Sequence, residues 1–386
     1  MFKRVFLIVL DSLGIGEAED AKDFNDIGSN TLGHILEKTN IKLPNLEKMG
    51  LLNLVGYKFN KVDSYYLKAK PKANGKDTLT GHLELMGIRT IKPFKTFSET
   101  GFPSDLIKEL EKRTGRKVIG NISASGTEII EKLGKEHIES GSIIVYTSQD
   151  SVLQIAAHED VVPLDELYKI CEIAREITLK DEWKVGRIIA RPFIGEIGNF
   201  KRTPNRHDYA LNPVSDTVLD RLKNKGLDVI SIGKISDIFN GCGITKSTKT
   251  KDNLDGILNI LESIRMDFNG LCFANLNDFD SKYGHRRNIK GYANAIKEFD
   301  ICLPKIKESL REDDLLIITA DHGNDPSYKG TDHTRENIPV LLYSKSFDSS
   351  GKLEELNCFS DIGALILDNF NLELLDVGKS FLSKLK

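Results

Sequence analysis

The chain has 386 residues, 40% hydrophobic and 29% charged, an ordinary globular composition with more length than one comfortable core needs. Fifty-four basic against 57 acidic residues leave a net charge of −3, so no general attraction to nucleic acid or to an anionic membrane is expected, and no protein partner is evident. Five cysteines (Cys171, Cys242, Cys272, Cys302 and Cys358), odd in number and never spaced CxxC, suggest neither a disulfide framework nor a thiolate metal site.

In chain order, the apolar run VFLIVL at 5–10 reads as a strand covered on both faces, and it ends in Asp11. Its basic start gives a passing likeness to a secretion signal. Asp11 interrupts the run and no small-residue cleavage site follows, so a cytoplasmic location is expected. The segment NGKDTLTGHLELMG at 74–87 sets Thr78 and Thr80 just before a short helix, with Asp77 or Thr78 as its cap. A threonine at a helix start also lies where backbone N–H groups and the dipole favour phosphate, and a nearby cation lowers its hydroxyl pKa. Residues 95–212 change character, from turn-rich SETGFPSD to basic NFKRTPNRHDYALNP, and are expected to form an inserted second domain between core segments 1–94 and 213–386. Within the insert, SIIVYT at 142–147 and RIIA at 187–190 read as strands. The last third alternates LDVISI (227–232), GLCFANL (270–276), LLIIT (315–319) and PVLLYS (339–344) with helical patterns. One pattern runs Leu254, Ile257, Leu258, Leu261, Ile264; the other runs Ile296, Phe299, Leu303, Ile306, Leu310, where Pro304 is expected to kink or divide the helix. This alternation predicts an α/β fold around a largely parallel sheet.

Ligands in such sheets gather beyond the carboxyl ends of the strands. Three apolar runs end in acid there: Asp11, then Asp278 and Asp280, then Asp321. An aspartate at a strand end is ordinarily a turn or cap residue. The inference rests on the joint pattern, in which Asp280 precedes His285, Asp321 adjoins His322, and His333 comes soon after. Mixed carboxylate and imidazole donors suit Mn²⁺ or Zn²⁺ better than Ca²⁺, and six ligands suffice for two metals with positions left for substrate.

Together these residues resemble the phosphopentomutases of the alkaline phosphatase superfamily. The likeness lies in DSLGIG (11–16), GKDTLTGHLELMG (75–87), GRIIARPFIGEIGNFKRTPNRHDYAL (186–211), IGKISDIF (232–239), NLNDFDSKYGHRRN (275–288) and TADHGNDPSYKGTDHTRENIPV (319–340). The RTPNRHDYAL and GKISDIF stretches are specific to the pentomutases, whereas the metal motifs are shared across the superfamily. The acidic EAED after DSLGIG departs from the family, which commonly has a proline there.

The resemblance implies an alkaline-phosphatase-like core with a smaller α/β cap, and two Mn²⁺ ions. One would be held by Asp11, Asp321 and His322 beside Thr78, the other by Asp280, His285 and His333. Thr78 would be the phosphorylated nucleophile. The implied reaction interconverts ribose 1-phosphate and ribose 5-phosphate, and the 2-deoxyribose pair, after priming by a sugar bisphosphate such as glucose 1,6-bisphosphate. Ser148 and Asp150 are candidates for the sugar hydroxyls, and Arg187, Arg202, Arg206 and Lys234 for the distal phosphate. The rivals are a phosphoglycerate mutase, which usually presents serine where this chain has Thr78, a plain phosphohydrolase, and a metal-binding protein without catalysis.

Overall fold

A computed structural model describes residues 1–92, 94–148 and 151–385. The chain falls into two units, Met1–Lys92 with Asn212–Lys386, and Pro93–Leu211. In chain order the strands are β1 (Arg4–Leu10), β2 (Tyr65–Ala69), β3 (Val118–Ser123), β4 (Ile143–Thr147), β5 (Val152–His158), β6 (Arg187–Glu196) and β7 (Asn199–Arg202). They continue as β8 (His207–Ala210), β9 (Asp228–Ile232), β10 (Lys246–Thr248), β11 (Gly270–Leu276), β12 (Asp314–Thr319), β13 (Ile338–Tyr343) and β14 (Gly351–Lys352).

The larger unit carries an eight-stranded sheet in the order β10-β9-β11-β1-β12-β13-β2-β14. Every residue of β1, β11 and β12 is buried, as unbroken apolar runs require of central parallel strands. The sheet is parallel from β10 through β12, while β13 runs antiparallel to both its neighbours. Register sets where the acidic loops emerge. Leu10 pairs with Leu276 and Val9 with Thr319, so the segments after β1, β11 and β12 leave one edge of the sheet side by side. At the opposite edge Arg4 pairs with Asp314 in register, and both are fully buried. That guanidinium gives two bonds to the carboxylate, at 2.7 and 2.6 Å, and two more to the carbonyls of Ile264 and Met266.

Pro304 does not divide its helix, which runs unbroken from Ile289 to Ser309. Proline leaves the carbonyl four residues earlier without a helical donor. Here Asn45 Nδ2 donates to Asp300 O at 2.9 Å and supplies the missing bond. In the helix Asn253–Arg265 the buried stripe is Ile257, Ile260 and Ile264, whereas Leu254 and Leu258 are exposed. The five cysteines are all free thiols. Among the described residues no helix is long and apolar enough to cross a membrane.

The smaller unit is a six-stranded mixed sheet, β3-β4-β5-β6-β7 with β8 also on β6. Helices Ser104–Thr114 and Leu164–Ile177 cover one face through Leu106, Leu110, Leu167 and Ile170. Helix Gly126–Ser140 covers part of the other, packing Ile129 and Ile130 on Tyr146, Phe193 and Phe200. His137 locks that helix down. Its Nδ1 donates to Ser142 O at 2.5 Å, and its Nε2 accepts from the His158 amide at 2.9 Å. Burial pushes the His137 pKa below its ordinary value, consistent with a neutral ring that serves once as donor and once as acceptor.

Candidate metal centre

Asp11 leaves β1 with its amide bonded to Leu276 O, and the next residue, Ser12, takes a left-handed backbone (φ 69°). Such a conformation in a non-glycine residue costs energy and persists only where its surroundings enforce it. Here the Ser12 amide donates to Asp321 Oδ1 at 3.0 Å, and its hydroxyl meets Tyr292 at 3.0 Å. The strain therefore buttresses the Asp321 carboxylate. Asp321 and His322 come after β12, and Gly323 and Thr334 exchange backbone hydrogen bonds that fold the loop back. His333 is thereby brought against His322, with ring centroids 4.2 Å apart. Gly323 is required by proximity: a Cβ there would lie 2.5 Å from Glu336 Oε1.

After β11 the chain makes a π-helical turn, Phe279–Gly284, which decides between two neighbouring aspartates. Asp278 turns away to the Asn253 amide and Lys282 Nζ. Asp280 turns in, 3.2 Å from His285 Nε2 and 3.4 Å from His333 Nε2, and is steadied by Asn324 Nδ2 at 2.7 Å.

Two sets of ligand atoms converge: Asp11, Asp321 and His322; and Asp280, His322 and His333, all buried. His285 stands beside the second set, its ring 4.6 Å from that of His333. His322 Nδ1 donates to Gly323 O at 3.0 Å and His285 Nδ1 to Thr331 O at 2.7 Å. Each bond fixes a tautomer whose Nε2 lone pair faces the carboxylates, the usual arrangement for metal-ligating histidine.

The donor set fits a cation. Among the described residues Asp11 Oδ1, Asp321 Oδ2 and His333 Nε2 are buried without any hydrogen-bond partner, and all three point into the cluster. Orphaned buried polar atoms are costly, and a cation would satisfy all three. Burial, then repulsion from Asp321 and Asp280, raises the Asp11 pKa to about 7. Burial opposes the charged form of His322, but Asp321, Asp280 and Asp11 outweigh it and raise its pKa to about 9. Burial likewise works against ionised Asp280, yet His333 and His285 hold its pKa well below the usual range.

Thr78 is the first residue of helix Thr78–Leu85, and Asp77 is its cap, accepting from the Thr80 amide at 3.0 Å. Thr78 Oγ1 lies 3.1 Å from His322 Nε2, at the edge of the first set. Thr80 Oγ1 is instead spent on Asp77 Oδ2 at 2.6 Å. Gly81 lets this helix press on the Asp321 backbone, where a Cβ would come within 2.1 Å of the carbonyl oxygen.

The remaining candidates are spread over both units. Lys234 comes after β9 in the larger unit, half-buried and close enough to Asp11 to oppose, with His322, part of the rise that burial, Asp321 and Asp280 cause. In the smaller unit Ser148 comes after β4, Arg187 opens β6, Arg202 ends β7 and Arg206 precedes β8; Asp150 lies outside the described residues. Asp208 accepts two bonds from Arg206, at 2.6 and 2.7 Å, and one from Arg187 at 3.3 Å. Sequence reading missed Arg191, two residues beyond Ile189 on the same face of β6, and Tyr146. Arg191 bonds Gln154 at 3.1 Å, and among the described residues the buried Tyr146 hydroxyl has no hydrogen-bond partner. A Cβ at Gly126 would lie 2.4 Å from both Tyr146 Oη and Arg202 Nη2. Arg187 and Arg206 answer to Asp208, while Arg191, Arg202 and Arg206 all act on the Tyr146 hydroxyl.

A largely parallel sheet with carboxylates and imidazoles converging beyond its strand ends defines a metalloenzyme of alkaline-phosphatase-like architecture. The chain belongs to the metalloenzyme superfamily, whose family model matches residues 3–374. Its fold is similar to that of the PH0037 protein of Pyrococcus horikoshii (TM-score 0.51, 14% identity, 96% of this chain and 98% of that one). It is similar also to the phosphoglycerate mutase of Leishmania mexicana, solved at low cobalt concentration (TM-score 0.51, 12% identity, 98% and 97%).

Proposed function

We propose that the protein is a phosphopentomutase, interconverting ribose 1-phosphate and ribose 5-phosphate, and the 2-deoxyribose pair, through a phosphothreonine at Thr78. The observation that carries this reading is the placement of Thr78 Oγ1 at a helix start, 3.1 Å from His322 Nε2, with the competing hydroxyl of Thr80 occupied by Asp77. The pentomutase-specific stretches RTPNRHDYAL and GKISDIF add the substrate class.

In this reading Asp11, Asp321 and His322 hold one Mn²⁺ and Asp280, His285 and His333 a second. Bound there, two such ions offset charge on the attacking and leaving oxygens of an in-line displacement. Thr78 carries the group. In the first half-reaction the bond between phosphorus and Thr78 Oγ1 breaks as one forms to the free hydroxyl oxygen of the sugar monophosphate, whose proton ends on Oγ1. The resulting bisphosphate turns round, and the reverse displacement returns its other phosphate to Thr78. A sugar bisphosphate such as glucose 1,6-bisphosphate loads Thr78 initially. Ser148 and Asp150 are assigned to the sugar hydroxyls. Arg187, Arg202 and Arg206 of the smaller unit are assigned to the phosphate not in transit, and Lys234 is a further candidate for a phosphate contact. The excess of arginine over carboxylate around Asp208 supports an anionic ligand, and Arg191 adds to it.

A coupled assay of ribose 5-phosphate formation from ribose 1-phosphate, with phosphate release monitored in parallel, tests the reading. Isomerisation without release supports a mutase, release without isomerisation a phosphohydrolase, and neither a protein that binds metal without this catalysis.

A further inference from the structure

His82 has no part in the metal sets, yet it is fully buried beneath Thr78, one helical turn further on. Its Nδ1 lies 2.9 Å from the Thr78 carbonyl oxygen and 3.0 Å from Asp321 Oδ2. That nitrogen stands between the two oxygens, so His82 touches the Thr78 carbonyl and the Asp321 carboxylate together. With Nδ1 as donor, Nε2 is an acceptor, and Asn275 Nδ2 faces it at 3.3 Å. The other hydrogen of that amide goes to Asp11 Oδ2 at 2.9 Å. Turning the Asn275 amide over would set its oxygen against the Asp11 carboxylate, so the orientation is determined. One chain of contacts thus runs from the backbone of Thr78 through His82 to Asp321, and through Asn275 to Asp11.

We infer that His82, acting with Asn275, is a positioning residue that sets the Asp11–Asp321 carboxylate pair against the start of the helix bearing Thr78. Neither residue reaches Asp280, whose supports are Asn324, His285 and His333. The device therefore serves one ligand set and leaves the other alone. Outer contacts of this kind are worth about 10–100-fold in metal affinity or activity. The competing account is that His82 only packs, since its ring lies on Phe273 with centroids 5.8 Å apart and planes at 30°.

His82→Phe keeps the aromatic packing and removes both nitrogens, and Asn275→Leu keeps the volume and removes the amide. Mn²⁺ alone is titrated into the metal-free protein, with the free ion monitored by electron paramagnetic resonance. In both variants one class of site should weaken by about 10–100-fold while the other keeps wild-type affinity. His82→Asn, which returns a donor near the Nδ1 position, should recover part of the loss. In turnover, kcat should fall while KM for ribose 5-phosphate holds. Wild-type affinity in both classes, in whichever variants fold, would reduce His82 to packing. Equal weakening of both classes would mean general distortion and would also overturn the inference. The kinetic arm rests on the mutase reading, but the metal titration does not. If the wild-type protein failed to interconvert pentose phosphates, the titration would still decide the role of His82.

Discussion

Removing the carboxylate of Asp314 tests how the sheet is held in the register that brings Asp11 and Asp321 together. Arg4 and Asp314 pair across β1 and β12, both fully buried, with the guanidinium against the rings of Phe6 and Phe268. Asp314→Ala leaves that guanidinium buried with only the carbonyls of Ile264 and Met266 for partners. Breaking a buried pair in this way costs about 3–5 kcal/mol. At about 2–4 °C per kcal/mol for a unit of this size, the melting temperature should fall by roughly 6–20 °C. Urea unfolding monitored by far-ultraviolet circular dichroism, with metal chelated, reads the change at constant m-value. The double variant Arg4→Met/Asp314→Leu should lie within about 1 kcal/mol of wild type or above it, because no stranded charge remains. Metal content should be unchanged in Asp314→Ala, because the far end of β1 is roughly 20 Å away. A loss below about 1 kcal/mol would place the pair in the range of exposed ion pairs and refute the argument.

Other perturbations probe the smaller unit, the metals and the phosphate site. His137 has a folded pKa below its ordinary value of about 6.5, so its contribution to stability is fully present above that pH and is lost as pH falls toward the folded value. Fluorescence of Trp183, the single tryptophan and part of the smaller unit's core, should show urea midpoints falling below about pH 6.5, with a shallower fall in His137→Gln. Rigorous chelation should abolish turnover, with Mn²⁺ restoring it better than Mg²⁺ because three imidazoles stand among the six proposed donors, and His333→Ala should lower both metal content and rate. Arg202→Ala should raise KM by about 10-fold or more without altering metal content, and by more than Arg206→Ala, whose guanidinium is committed to Asp208; a smaller effect at Arg202 would remove it from the phosphate site.

The acids beyond the ends of β1, β11 and β12 were legible because central parallel strands are unbroken apolar runs and an acid follows each within a few residues. The choice between Asp278 and Asp280 was not, since both come after one strand and a π-helical turn decides which faces inward. Nor was the antiparallel sense of β13, whose IPVLLY sequence is as apolar as the parallel strands of the same sheet. That the helix is not divided at Pro304 was not legible, because the compensating donor, Asn45, is remote in sequence and meets the Asp300 carbonyl only in the fold. Strands such as β7, with only Phe200 buried among its four residues, leave too little pattern to read. His82 was visible four residues after Thr78, the spacing that shares a helix face, but nothing in sequence says that Asn275 waits opposite.

The central claim is that Thr78 holds the phosphoryl group between half-reactions, and phosphopeptide mapping tests it most directly. Incubation with glucose 1,6-bisphosphate should add one phosphate, located on Thr78, while Thr78→Ala keeps its fold and metals, because Asp77 remains as the helix cap, but takes no label and has no mutase turnover. Label on Thr80, or wild-type turnover in Thr78→Ala, would contradict the account.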